Sequence, residues 1–327
     1  MSVLVTGASG FLGKRIVERL AVEGLQVRAM VRPGSSLKVA PELRVEVVEG
    51  TLHPAKNLDA ILSGIDTVIH CAGGGWFKGE NSFYENNTVI TENLLKAWSG
   101  SGKAKRRFIF ISSLAAAGAA LHGDDYPDET YANPRSLYGK SKLAAEKLVF
   151  EFLSPEEITV LRLPALYGPG DTRLLPLFKT AQRGFAPMPA SGRTLSFLHI
   201  DDCVDVLSLI FHKESCAKSI YTIHDGSAHS VEEMVRHVGA AVGRKVSILP
   251  LADEILLTMG FFAECWAKLS GRGVLFSRDK VRDMTAAYWQ CDGEKFAEEF
   301  SWSPRFNLEE GTQHTAKWYR AQGWLSS

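Results

Sequence analysis

The stretch Ser2-Val3-Leu4-Val5-Thr6-Gly7-Ala8-Ser9-Gly10-Phe11-Leu12-Gly13 decides the fold. Residues 2–6 read as a short strand, and a helical pattern runs from about 10 to 23. Between them stands a glycine turn. Gly7 permits a sharp reversal, and Gly10 lets a pyrophosphate approach the backbone with no Cβ in the way. Gly13 lets the helix pack close on the strand. An anionic diphosphate would then sit on the free N–H groups at the helix's positive end.

Working outward, further strands are expected at 27–31, 44–48, 67–71, 107–112 and 159–163. Helices are expected at 58–62, 83–99 and 137–152. Strands separated by helices make βαβ units, so the spacing predicts an α/β, Rossmann-type doubly wound parallel sheet. Runs such as Phe108-Ile109-Phe110-Ile111 are apolar on both faces, as strands covered on both sides must be. After Leu163 the texture changes to a proline- and glycine-rich stretch around one helix at 174–182, then a strand at 195–200 and a helix at 203–212. From Ser230 onward the pattern is mainly helical. The expected division is a dinucleotide-binding domain over 1–170 plus about 195–226. A smaller, mostly helical substrate lobe would take 171–194 plus 227–327.

Composition narrows the function classes. The 37 basic residues balance the 37 acidic ones, which argues against nucleic acid as a partner. The N-terminus has no basic segment ahead of its apolar run, and no long window is purely apolar. Neither a signal peptide nor a membrane span is therefore expected. The nearest approach to a span, 255–266, is interrupted by Gly260 and Glu264 and reads as an amphipathic or buried helix. The five cysteines are scattered, which fits reduced thiols and a cytoplasmic location. The histidines show no metal-binding spacing, so no metal site is expected.

Two further features carry chemistry. Arg32 stands at the end of the second strand, where an acidic residue would hold the ribose 2′-hydroxyl of NAD. A guanidinium there suits a 2′-phosphate, so NADP(H) is favoured over NAD(H). Tyr138 and Lys142 lie four residues apart and share a helical face. A phenol titrates near pH 10 and needs roughly 4 kcal/mol of help to act at neutrality. A neighbouring ammonium is expected to lower it. Ser112 and Ser113 end the preceding strand, where a hydroxyl can hold a substrate oxygen.

Together these motifs resemble the extended short-chain dehydrogenase/reductase family. The resemblance rests on Thr6–Gly13, His70-Cys71-Ala72-Gly73, Tyr84-x-x-Asn87 with Asn93, and Phe110-Ile111-Ser112-Ser113. Tyr138–Lys142, Arg162–Asp171 and Phe197–Asp202 complete it. It implies catalytic roles for Ser113, Tyr138 and Lys142, with Asn87 supporting. It implies cofactor contacts from Gly7, Ser9, Gly10, Phe11, Leu12, Gly13, Arg32, Thr51, Leu52, Ala72, Gly73, Pro164 and Ala165, besides Tyr138 and Lys142. Asp201 and Asp202 match a structural pair. A homodimer through helices 83–99 and 137–152 is also implied. The chain departs from the family at Thr51, where an Asp is usual, and in Leu163-Pro164-Ala165-Leu166, where nucleotide-sugar epimerases tend to carry an Asn.

The loop from Pro164 to Asp171 looks more like the 3β-hydroxysteroid dehydrogenases and dihydroflavonol-type reductases. Phe261, Phe262, Trp266, Leu269, Leu275 and Phe276 suit a pocket for a greasy or ring-bearing carbonyl, and serve equally as lobe core or a dimer contact. The leading reading is NAD(P)-dependent interconversion of a secondary alcohol and a ketone on a hydrophobic small molecule. The alternatives are a nucleotide-sugar epimerase or dehydratase and, further off, a non-catalytic NADP sensor.

Overall fold

A computed structural model describes residues 1–100, 106–120, 132–190, 193–213, 216 and 220–326. Its centre is a sheet of seven parallel strands: β1 Ser2–Thr6, β2 Gln26–Val31, β3 Val45–Glu49, β4 Thr67–His70, β5 Arg107–Ser113, β6 Ile158–Leu163 and β7 Ile220–Thr222. Their spatial order is β7-β6-β5-β4-β1-β2-β3. The chain winds outward from β1 to β3, then returns to the other side of β1 at β4. The carboxyl ends of β1 and β4 therefore border the crevice where the winding reverses, the place ligands occupy in such sheets.

Alternation along β1 shows why both faces are covered. Val3 and Val5 point into one core with Ile16 and Leu20 of α1 (Phe11–Val22). Val206 and Ile210 of a helix at Ile200–His212 join them there. Leu4 points the other way. It packs in the core that holds α2 (Leu58–Leu62), Leu94 and Trp98 of α3 (Ile90–Ser99), and Val149 of α4 (Leu137–Phe152). A residue period of two on the strand thus serves two layers of helices.

Several expectations need correction. The helix expected at 83–99 is three pieces: a turn at Ser82–Tyr84, a π-helical turn at Glu85–Val89, then α3. β7 went unread because it is only three residues long. Phe185–Pro189, read as loop, pairs in parallel with Ser247–Leu251; its prolines are tolerated because this is a two-stranded edge. The strand at Thr194–His199 does not join the central sheet. It pairs with Ala165–Tyr167, Ala228–Ser230 and Tyr288–Trp289.

The C-terminal region contains α5 (Val231–Val242), α6 (Asp253–Ser270), α7 (Arg278–Met284) and α8 (Leu308–Ala321). Phe178, Met234, Val238 and Tyr319 fill a separate core there. No helix among the described residues is long and apolar enough to cross a membrane.

Candidate active site

The glycine turn is shaped by close backbone approach. Gly7 has φ +67°, and a Cβ there would lie 2.7 Å from the backbone nitrogen of Ala72. A Cβ on Gly13 would lie 2.2 Å from the Gly7 carbonyl oxygen. Both positions therefore exclude a side chain. Gly10 caps α1, whose first turn has no side-chain cap and no acidic residue. This helix end keeps N–H groups for an external anion. Phe11 opens the helix, with the Arg173 guanidinium 5.2 Å from its ring centre. The loop after β6 reaches over the turn, where Arg15 donates to the Pro169 carbonyl at 3.3 Å.

Arg32 is exposed at the carboxyl end of β2. Ser35 donates its N–H to the Arg32 carbonyl at 2.9 Å. Thr51 turns its hydroxyl into a small hairpin and donates to the Pro54 carbonyl at 2.6 Å. The Leu52 carbonyl accepts from Asn93 Nδ2 at 2.7 Å. Ala72 borders the turn through its N–H on Thr6 Oγ1, 3.3 Å away. Gly73 has φ +146°, and a Cβ there would strike Asn87 Oδ1 at 2.7 Å. Pro164 and Ala165 follow β6, with Ala165 exposed.

At the end of β5 two adjacent serines have different partners. The Ser112 hydroxyl donates to the Glu146 carboxylate, which is buried and paired with Arg162 at 2.8 Å. Ser113 accepts the Ala115 N–H at 3.2 Å and starts a short helix. Its side chain lies on the side of the Tyr138 phenol and pulls that group's pKa down, and Tyr138 packs on the cluster of Leu114, Ala115 and Ala117 that follows it. Ser113, not Ser112, thus faces the tyrosine.

Ser136 begins α4, its side chain accepting the Gly139 N–H at 3.0 Å. Gly139 must lack a side chain, because a Cβ would lie 2.3 Å from the Ala115 carbonyl. One helical turn on, Lys142 is buried. Its Nζ donates to the Ile111 carbonyl at 2.6 Å and sits 4.4 Å from the Phe110 ring centre. Burial brings this ammonium down to about 8, against the opposing pull of Glu146. Tyr138 is half-buried.

The expected acidification of Tyr138 by Lys142 is corrected here. Burial pushes the phenol up; hydrogen bonding from Ser113 and the Arg173 charge pull it back, and Asp283 raises it further. Lys142, whose ammonium donates to the Ile111 carbonyl, is not among these groups.

Asn87 lies in the π-helical turn and ties the site together. Its Nδ2 donates to the Phe83 and Gly74 carbonyls and to Ser141 Oγ, at 3.0, 3.1 and 3.0 Å. Its Oδ1 accepts the Gly74 N–H at 3.1 Å. A wide turn of this kind at a functional site is a recurrent pattern. Between β1 and α3, His70 bridges Thr6 and Thr91 and is held near pKa 3 by burial, so it stays neutral.

Sequence reasoning missed two carboxylates on α7. Asp279 accepts the backbone N–H groups of Leu137 and Tyr138 at 2.6 and 3.1 Å. It caps the helix that carries the tyrosine. Asp283, one turn later, is buried and pushed up to about 6 by burial, against the pull of Lys280. Among the described residues its Oδ1 has no hydrogen-bond partner. Their four-residue spacing was the only available signal. Asp202, by contrast, accepts the Arg305 and Phe306 N–H groups, both at 3.1 Å.

The apolar 255–276 segment departs from the expected pocket lining. Phe261, Phe262, Trp266 and Leu269 are all exposed. Among the described residues one group of metal-ligand type exists, His199, Asp201 and His314, whose ligand atoms lie within 4.8 Å of one another. The spacing of these three along the chain gave no sign of it.

The family model described as NAD dependent epimerase/dehydratase matches residues 3–223. The chain belongs to this family. Over 99% of its length it is 30% identical to the ceramide reductase of Caulobacter vibrioides, covering 96% of that protein. It is 28% identical to the UDP-glucose 4-epimerase of Vibrio cholerae, over 97% of this chain and 94% of the relative. Among solved structures, MoeE5 in complex with UDP-glucose and NAD is similar at TM-score 0.76 and 25% identity. That likeness covers 98% of this chain and 99% of the other. The relatives thus include both a reductase and an epimerase.

Proposed function

We propose that this family member is an NAD(P)-dependent oxidoreductase that interconverts a secondary alcohol and a ketone on a hydrophobic or ring-bearing small molecule. The observation that carries the reading is the placement of Tyr138, in the first turn of α4, against the residues that follow Ser113 at the carboxyl end of β5, with Lys142 buried one turn on. The glycine turn fits a dinucleotide, since its uncapped helix end and side-chain-free backbone leave a cradle for a diphosphate. Gly7, Ser9, Gly10, Phe11, Leu12 and Gly13 would hold the diphosphate. Ala72, Gly73, Pro164 and Ala165 border the crevice beyond it, and Thr51 and Leu52 lie beside β3. Bound there, the nicotinamide supplies or takes up a hydride.

The chain's own groups do the rest. Ser113 hydrogen-bonds the substrate oxygen and holds it against Tyr138. In the reductive direction that oxygen takes the phenol's proton as its carbon gains the hydride. Lys142 has two N–H donors beyond the one given to Ile111 and would offer them to a ribose hydroxyl. Asn87 fixes the loop after β4 and the second turn of α4. The absence of an Asn in Leu163–Leu166 and the full-length likeness to a ceramide reductase favour net reduction over epimerisation.

The test is cofactor turnover. Purified protein is given ceramide-like, steroid or flavonoid ketones and, separately, nucleotide sugars. Net loss of reduced nicotinamide with a ketone supports the reading. Conversion of a nucleotide sugar with no net change in nicotinamide overturns it in favour of an epimerase.

Arg32 supports the further proposal that NADP(H) is preferred, since its exposed guanidinium suits a 2′-phosphate. Binding constants for NADPH and NADH, measured on wild type and Arg32→Ala, test this. NADPH should bind at least about tenfold tighter to wild type and lose most of that margin in the variant, as a charge-assisted pair predicts. An NADH preference untouched by the change overturns it.

A further inference from the structure

Helix α6 is built inside out. Its inward side carries Leu256, Gly260, Glu264 and Ala267, all buried. A Cβ added to Gly260 would come within 2.8 Å of the Arg278 backbone nitrogen. The Glu264 carboxylate accepts that same N–H at 2.8 Å and pairs with the Arg278 guanidinium at 2.8 Å. The helix therefore meets the protein largely through small and polar groups. At about 100° per residue, Ile255, Met259, Phe262, Trp266 and Leu269 fall on the opposite side. They are 50%, 50%, 65%, 62% and 86% exposed. An ordinary surface helix has the reverse arrangement, and a contiguous exposed apolar face marks an interaction site.

Charge and side-chain chemistry say what covers this face. Lys268 and Arg272 are exposed at its C-terminal end, and neither pairs with an acid among the described residues. Of the acids on the helix, Asp253 pairs with Arg193 and Glu264 with Arg278, while Glu254 is exposed at the N-terminal end, away from the two cations. Trp76 and Lys78, both exposed, lie alongside; a Cβ on Gly273 would approach them at 3.4 and 3.1 Å. Large aromatics with a cationic rim match the boundary between lipid chains and anionic headgroups. The exposed apolar surface also widens to Leu257 and Phe261, beyond the narrow seam that a helical partner takes.

We propose that α6 lies flat on an anionic phospholipid bilayer and docks the protein there. The inner face of the same helix reaches the active site. Ala267 packs with Phe77 and Phe83, and the Tyr138 ring joins that cluster. A Cβ on Gly75 would lie 3.8 Å from the same ring. Docking thus sets the approach to Tyr138 beside the bilayer. The inference stands on the exposed face and does not need the reductase reading.

The test is co-sedimentation of the full chain, with dinucleotide added, on vesicles of phosphatidylcholine alone or mixed with phosphatidylglycerol. Wild type should sediment with the mixed vesicles and several-fold less with phosphatidylcholine or at high salt. Phe262→Asp with Trp266→Asp should lower partitioning about tenfold or more. Lys268→Glu with Arg272→Glu, which leaves the apolar stripe intact, should abolish the preference for anionic lipid. Melting curves confirm that each variant folds. Wild type left in the supernatant with anionic vesicles overturns the proposal, as does an aspartate variant that sediments like wild type. So does a wild-type dimer that the aspartates dissociate while neither form binds vesicles.

Discussion

The two ends of helix α4 are held by different parts of the molecule. Its interior is fixed by the central sheet and the π-helical turn: Lys142 by Ile111, Ser141 by Asn87 and Thr88, Glu146 by Ser112 and Arg162. Its first turn is fixed by Asp279, more than 140 residues along the chain. The lysine is therefore set by strands and helices near it in sequence, while the tyrosine's position depends on the C-terminal region. Chemistry at Tyr138 and nucleotide binding near Lys142 should then separate under mutation.

The largest effect is expected at Tyr138. Tyr138→Phe should lower kcat about 10²- to 10⁴-fold, the usual loss for a general acid–base group. Titration should show dinucleotide affinity within about twofold of wild type, since the ring and its packing remain. Lys142→Met is expected to weaken dinucleotide binding; if Tyr138→Phe weakens it as much, the two ends do not act separately.

A smaller effect is expected at Asp279, a positioning residue. Asp279→Ala removes a cap from the first turn, which costs about 1–2 kcal/mol of stability. It should lower kcat roughly tenfold while dinucleotide affinity stays unchanged, because only the tyrosine's end loosens. Asp279→Asn, which keeps an acceptor, should recover most of the rate. A variant that loses rate and nucleotide affinity together would show that Asp279 serves the whole fold instead.

An effect of opposite sign, on stability rather than turnover, is expected at Asp283. Its carboxyl is raised from 3.8 to about 6, so the folded protein binds the extra proton between those values. Stability should fall as pH rises through that window, and the penalty should be complete above about pH 6. Asp283→Asn should remove the slope and stabilise the protein at pH 7.5 by on the order of 2 kcal/mol. Thermal melts at pH 4.5 and 7.5 check this. Since the Asp283 charge also raises the phenol, the same variant should move the alkaline limb of kcat/KM to lower pH.

Legibility followed the range of the interactions. The strand–glycine–helix unit is made by twelve consecutive residues, and its glycines are needed for contacts within that unit and with Ala72. The Tyr138–Lys142 spacing was equally local, whereas the choice of Ser113 over Ser112 came from the family resemblance. Asp279 was out of reach because its partners lie far along the chain and its own helix is only seven residues long. The apolar character of 255–276 was plain, but its direction was not. Periodicity reports which residues share a face, and only the Gly260 and Glu264 contacts reveal which face turns inward. The strand at Phe185–Pro189 was hidden by prolines that an isolated parallel pair accepts.

The π-helical turn at Glu85–Val89 acts as a phase shifter. It holds one residue more than a regular helix would need, so segments on its two sides are rotated by about 100° relative to an unbroken helix. That offset lets Phe83 reach the tyrosine's ring cluster while Leu94 and Trp98 reach the sheet. Deleting any one residue of the turn would restore a regular helix and bring the two requirements into conflict. Either Asn87 would swing away from Ser141 or Trp98 would leave the core, so length at this point is constrained as tightly as residue identity.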